Sequence, residues 1–190
     1  MEYIAATPRN VQDRAGKIRT ATGKYVNPLK LRAADIAIKD VAHHLAHLCR
    51  YTGACPHFYS VAQHSVLVSK YLREAGASVE LQMAGLLHDA GEAYFNDLAS
   101  PVKHDPRMAW YRDAEHEATR LIFCVVGINP DLLAATKQAD DAVFHNEAVT
   151  WWHNARLITP LEPLNARHQF MFTYTLLKDA LDAYHPAPRF

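Results

Sequence analysis

The run Leu86-Leu87-His88-Asp89-Ala90-Gly91-Glu92 carries an apolar helical stretch straight into an adjacent imidazole and carboxylate. Neighbouring residues of an ideal helix point about 100° apart. His88 and Asp89 can therefore serve one centre only where the helix deforms or ends, and Gly91 supplies freedom for that. Two further groups stand at suitable distances along the chain. His64 lies in Phe58-Tyr59-Ser60-Val61-Ala62-Gln63-His64-Ser65-Val66, within an earlier helical pattern, and Asp140 lies in Lys137-Gln138-Ala139-Asp140-Asp141, within a later one. The fold must then bring three helices together at one point. Two imidazoles and two carboxylates make a mixed N/O set for one divalent transition metal (Zn, Mn, Co, Fe or Ni), with positions left for water and substrate.

The order His, then His-Asp, then a distant Asp resembles the HD-domain metal-dependent phosphohydrolases. The segments CRYTGACPHFYSVAQHSVLVS, LLHDAGEAYFNDLASPVK and KQADDAVFHNE narrow the resemblance to the branch of YfbR-like 5'-deoxynucleotidases and the related DatZ-like phage dATP triphosphohydrolases, over residues 35 to 180. That resemblance implies an all-α HD helical bundle with His64, His88, Asp89 and Asp140 as metal ligands. It implies that Glu92 and Asp97 position or activate the attacking water and that Arg50, Lys103 and Lys137 meet the phosphates. Alignment on KQAD selects Asp140 rather than Asp141. The implied substrate is a deoxynucleotide: a dNTP, dATP above all, with water attack at the α-phosphate releasing the deoxynucleoside. The alternatives are a 5'-deoxynucleotidase acting on dNMPs and a nucleotide sensor without turnover. A further Mg or Mn on the triphosphate and a homodimer or hexamer are compatible with the branch. The chain departs from these relatives between Arg50 and His64, where it has Gly53-Ala54 in place of Gly-His.

The residues have readings of their own. Glu92 follows Asp89 by three positions, so a continuing helix puts both on one face. Asp97, beside Asn96, also suits a turn. Lys103 and Lys137 are otherwise ordinary surface lysines. Arg50 offers planar donors that match phosphate, or a charge for the negative end of the first helix. Tyr51 offers a ring to a base or to the core. His43 and His47 have a spacing that binds zinc elsewhere, but nothing completes a site, and they read as structural together with His44. Glu147, seven residues after Asp140, reads as a solvated carboxylate rather than a partner of a ligand.

With 190 residues and 49% apolar content, the chain is long enough for one domain with a sizeable core. Its 20 basic and 20 acidic residues balance, so no global field points to a nucleic-acid polymer. No apolar run approaches the ~20 residues that span a bilayer. Met1-Glu2-Tyr3 lacks the basic-then-apolar pattern of a leader, so the expected location is cytoplasmic, the host cytoplasm for a phage protein. Cys49, Cys55 and Cys124 have no ligand spacing and read as small buried packing residues in a reducing compartment.

Along the chain, residues 1–34 form an N-terminal extension in which KIRTATGKYVNP predicts a β-hairpin around Thr22-Gly23, stopped by Pro28. An HD domain is expected over 35–185 and a flexible tail over 186–190. Val41, Leu45 and Leu48 mark a first helix, and Val61, Val66, Val68, Tyr71 and Leu72 a second that ends at Gly76. Ser78 caps a third. The segment FNDLASPVKHDP reads as a loop at the mouth of the site. Met108–Val126 is a long helix closed by Gly127, another helix runs from Pro130 to Trp152, and a last one covers Arg167–Tyr184.

Overall fold

The computed structural model describes residues 15–153 and 155–184. The expectations for the leader and for the tail 186–190 fall outside that range. Two short strands, β1 (Ile18–Arg19) and β2 (Tyr25–Val26), pair antiparallel with Ile18 opposite Val26. Gly23 closes their turn at φ 91° and donates its N–H to Thr20 O at 2.9 Å. The turn is tied to α1 (Ile38–His47), because the Thr22 N–H and hydroxyl donate to the two oxygens of Asp40 at 2.6 and 2.8 Å. Asp40 is fully buried, and these donors compensate the loss of its hydration. His44 adds a second tie. Its Nδ1 donates to Ala93 O, which leaves Nε2 to accept from Ala21 N at 3.1 Å. His47 donates to its own helix at His43 O and stacks on the His43 ring, so this histidine group is structural.

The remaining elements are helical: α2 (Val61–Glu74), α3 (Val79–Leu87), α4 (Glu92–Phe95), α5 (Ser100–Lys103), α6 (Ala109–Val126), α7 (Leu132–Ala135), α8 (Lys137–Trp152) and α9 (Pro163–Tyr184). Ser60 caps α2 by accepting from Gln63 N, and Ser78 caps α3 by accepting from Leu81 N. Gly127, at φ 87°, ends α6 in a left-handed cap. The long α9 packs across α1, α2 and α3. Leu45, Met83, Leu86, Leu87, Ile122, Phe123 and Phe170 are fully buried in the resulting core, each contributing roughly 1.5–3 kcal/mol. Val26 joins the same core. Among the described residues no helix is long and apolar enough to cross a membrane.

Several elements differ from the sequence expectations. The helix expected from Pro130 to Trp152 breaks at Thr136, whose hydroxyl donates to Leu133 O at 2.7 Å, a local bond that competes with the helical ladder. The last helix begins earlier, at Pro163, whose fixed φ suits a first helical turn. The loop over residues 96–106 contains the single turn α5. In α2 the buried stripe is Val61, Val68 and Leu72, whereas Tyr71 is exposed and Val66 only half-buried. Cys124 is exposed and Cys49 and Cys55 are half-buried, so none is the fully buried packing residue expected.

Gly91 also acts differently. Its φ of −60° and ψ of −34° are ordinary helical values, so conformational freedom is not its use. A Cβ there would stand 2.5 Å from Glu115 O and 2.6 Å from Thr119 Oγ1, and the Gly91 N–H donates to that same hydroxyl. Glycine lets the turn after α3 touch the backbone of α6. At Gly85 the added Cβ meets chiefly the end of the Leu72 side chain, which can swing away. Gly91→Ala is therefore expected to cost about 1–3 kcal/mol, as overpacking does. Gly85→Ala regains up to ~1 kcal/mol of helix propensity against its smaller clash. Urea unfolding of both variants checks the ranking, and equal midpoints would refute the close-approach role of Gly91.

Candidate metal centre

The helix carrying the His-Asp pair deforms where that pair stands. Regular α3 stops at Leu87, and the chain proceeds by tight turns in which Ala90 N donates to Leu87 O and Glu92 N to Asp89 O. Those i-to-i+3 turns have about three residues per turn, so consecutive positions stand about 120° apart rather than 100°. The two side chains nevertheless reach each other, with His88 Nε2 and Asp89 Oδ2 3.2 Å apart. From α2, His64 brings its Nε2 to 3.3 Å from His88 Nε2 and 3.7 Å from Asp89 Oδ2. From α8, Asp140 brings Oδ1 to 3.1 Å from His64 Nε2 and 3.8 Å from His88 Nε2. The sequence-derived ligand candidates thus converge from three helical segments. The ligand atoms of His64, His88 and Asp89 all lie within 4.8 Å of one another, and Asp140 meets the two imidazoles rather than Asp89. Asp141 is exposed and holds Lys137, so the one-position choice falls on Asp140.

The donor set fits a cation. Ligands ~2.1 Å from a common centre stand ~3.0–3.4 Å apart at cis-octahedral or tetrahedral angles, close to the separations found. Protonation points the same way. His64 Nδ1 faces Glu147 Oε1 at 2.6 Å and His88 Nδ1 faces Gly85 O at 2.8 Å. Both acceptors require a proton on Nδ1, which leaves Nε2 of each ring as the nitrogen turned toward the other and toward the carboxylates. Burial opposes charge on His88, yet Asp89 and Asp140 raise its pKa to about 10. Asp89 and Asp140 are themselves held well below the ordinary carboxylate range, against their own burial, by these imidazoles.

His88, Asp89 and Asp140 line a cleft of about 1190 Å³ together with Arg50, Tyr51, Glu92, Asp97, Lys103 and Lys137, and His64 lies buried behind them. Glu92 is buried, with one oxygen 3.1 Å from Lys103 Nζ and the other unpartnered among the described residues. Burial and the charge of Asp89 push its pKa well above the usual carboxylate range. Asp97 is also raised, mainly by burial. Lys103 sits between Glu92 and Glu115, 2.7 Å from the latter; burial disfavours its charge, but the two glutamates outweigh that and raise it. Its loop is fastened to α6. The Tyr111 hydroxyl donates to Phe95 O and Asn96 O, and Arg112 Nη1 donates to Lys103 O and Asp105 O. Lys137 stands at the exposed rim, paired with Asp140 and Asp141.

Arg50 lies beyond the end of α1, in a 3-10 turn (Arg50–Gly53), and its charge goes to Glu147 at 3.0 Å and Asp89 at 3.8 Å rather than to the helix end. Tyr51 places its ring 5.0 Å from Trp152 and 6.0 Å from Phe144. Glu147 corrects the sequence expectation, because it is fully buried rather than solvated. Glu115 was missing from the sequence reading. Its signal was a carboxylate inside the apolar spacing Tyr111, Glu115, Ala118, Ile122 of α6. For Glu147 the signal was its place two turns after Asp140, on the same helix face.

Residues 61–125 match the model of the HD domain, so the chain contains that domain, and the matched span runs from α2 to α6 with His64, His88 and Asp89 inside it. HD domains are typical of metal-dependent phosphohydrolases and bind divalent metals. The uncharacterized protein YfdR of Escherichia coli K12 is 36% identical over 123 residues, 65% of either chain. The uncharacterized protein RCAP_rcc00048 of Rhodobacter capsulatus is 38% identical over 89 residues, 45% of either chain. The similarity therefore covers less than two thirds of either relative.

This geometry predicts that His88→Ala, Asp89→Ala and Asp140→Asn each lose bound divalent metal while keeping helical circular dichroism. Asp141→Asn should retain the metal. Elemental analysis of the purified variants checks it, and full occupancy in His88→Ala would remove that residue from the centre.

Proposed function

We propose that the protein is a single-metal deoxynucleotide phosphohydrolase, with dNTPs, dATP foremost, as preferred substrates and water attacking the α-phosphate to release the deoxynucleoside. One observation carries this reading: a converging imidazole and carboxylate cluster shares a cleft with a buried glutamate and with an aromatic wall. His64, His88, Asp89 and Asp140 would hold the metal, which when bound supplies Lewis-acid polarisation of a phosphoryl oxygen and acidifies water. Glu92 suits the part of general base. Burial and Asp89 raise its proton affinity, and its second oxygen, buried and without a partner among the described residues, is the one left for a proton of the attacking water. Lys103 holds that carboxylate in place through its other oxygen. Asp97, lining the same cleft, would orient the water from a second side.

Arg50 presents its guanidinium beside Asp89 and is placed to receive the phosphate nearest the centre. Lys137, at the rim, is placed for a distal phosphate, which only a longer chain would bring to it. Tyr51, Phe144 and Trp152 offer rings to the base, since a nucleobase stacks on aromatic faces. The engagement of Lys103 by Glu92 and Glu115 supports the 5'-deoxynucleotidase reading to the extent that it withdraws one cation from the phosphates. Both readings use the same centre.

Metal-loaded protein offered dATP, dAMP and ATP separates the possibilities by product chromatography. The triphosphohydrolase gives deoxyadenosine and triphosphate from dATP, and a strict monophosphatase leaves dATP intact. No turnover of any deoxynucleotide would leave a binding protein and sink the proposal. Glu92→Gln is expected to keep the metal and slow turnover by ~100-fold or more, the scale for losing a positioned acid or base; near-normal turnover at saturating substrate would make Glu92 a bystander. Lys137→Ala should weaken dATP turnover more than dAMP turnover, and equal losses would remove the distal-phosphate role.

A further inference from the structure

Glu147 gathers donors from both sides of the site. Its Oε1 accepts from His64 Nδ1 at 2.6 Å and from the Tyr59 hydroxyl at 2.7 Å. Its Oε2 accepts from Arg50 Nη2 at 3.0 Å and from the Tyr51 hydroxyl at 2.5 Å. With no exposure to solvent, the carboxylate depends on these donors, and only an ionised carboxylate offers enough lone pairs to serve them all. A group needed only to fill space there would be cheaper as an apolar side chain.

Its partners belong to two different parts of the cleft. His64 belongs to the metal cluster. Arg50 and Tyr51 belong to the excursion between Cys49 and Ser60, which is closed at its base where Arg50 N donates to Tyr59 O and Val61 N to Leu48 O. Within that excursion Tyr51 and Thr52 have φ of 57° and 52°, a left-handed conformation that side-chain-bearing residues rarely adopt and that persists only where surrounding contacts hold it. The bond from the Tyr51 hydroxyl to Glu147 is such a contact.

We infer that Glu147 is a positioning residue that fixes the proton of His64 on Nδ1, so that Nε2 faces the metal, and that fastens the Arg50–Tyr51 turn to the same centre. This rests on the metal-centre reading above. Glu147 itself touches neither the cluster's inner atoms nor the open cleft; it acts through the residues it holds.

Cobalt(II) titration of the full chain, followed by the visible absorption of the bound ion, tests the inference without any assay of turnover. Glu147→Gln offers one acceptor oxygen where two are used and adds donors. It is expected to weaken cobalt binding by ~10–100-fold, the usual loss on removing a partner of a ligating histidine, and to alter the absorption band. Tyr59→Phe leaves the His64 bond intact and should keep both affinity and band. If Glu147→Gln matches wild type in both, the inference is overturned while the metal centre stands. If wild type binds no cobalt, the metal reading falls and takes the inference with it. Nitrogen NMR of the zinc-loaded wild-type protein reads the tautomer directly and needs no variant to fold. A proton on His64 Nδ1, slow to exchange, supports the role of Glu147, and a proton on Nε2 overturns it.

Discussion

Asp140 and Glu147 stand two turns apart on α8, and the His64 ring lies between them, Nε2 toward the first at 3.1 Å and Nδ1 toward the second at 2.6 Å. One helix thereby grips both ends of an imidazole that belongs to another. The grip works only if α8 keeps its rotation about its own axis, and an apolar contact sets that rotation: Ala139 and Val143 of α8 pack on Val68 and Leu72 of α2 in a small cluster separate from the main core. Hydrophobic burial orients the helix, and the polar contacts exploit the orientation. The main core, where α9 closes over α1, α2 and α3, fixes α2 and α3 against each other and so sets the spacing of His64 and His88.

Charge explains much of what surrounds the cluster. The carboxylates lining the cleft, among them Asp89, Glu92, Asp97, Glu115 and Asp140, exceed its lysines and arginines. Each principal cation is already engaged: Arg50 with Glu147 and Asp89, Lys103 with Glu92 and Glu115, Lys137 with Asp140 and Asp141. A cleft of this composition repels a phosphate until further positive charge enters it, which agrees with a donor set built for a divalent ion. Glu147 contrasts with Glu92. Burial pushes both up, but His64, Arg50 and Tyr51 hold Glu147 at about 2, whereas Glu92 has Asp89 beside it and stays raised. Two buried glutamates are thus set for opposite protonation behaviour by their neighbours.

The parts legible in the sequence were those written in local pattern. The hairpin around Thr22-Gly23, the capped start of α3 and the glycine stop of α6 follow from turn and cap chemistry that few residues decide. The adjacency of His88 and Asp89 announced a deformed helix end, which the tight turns after Leu87 supply. What escaped depended on burial. Glu147 and a surface carboxylate look alike in one dimension, and only the packing of α8 against α2 turns it inward. Glu115 was hidden for the same reason. Gly91 was read by its freedom of φ, the property a sequence displays, while its structural use is the absence of a Cβ against Glu115 O and Thr119, which requires knowing where α6 lies.

The left-handed cap at Gly127 separates two helical phases. Because the chain leaves the right-handed helical region there, at φ 87°, the angular setting of α8 is not inherited from α6. An unbroken helix would turn Asp140 and Glu147 by about 100° for every residue inserted or deleted upstream. With the interruption at Gly127, a residue gained or lost within α6 leaves the phase of α8, and with it the grip on His64, to the packing of α8 on α2.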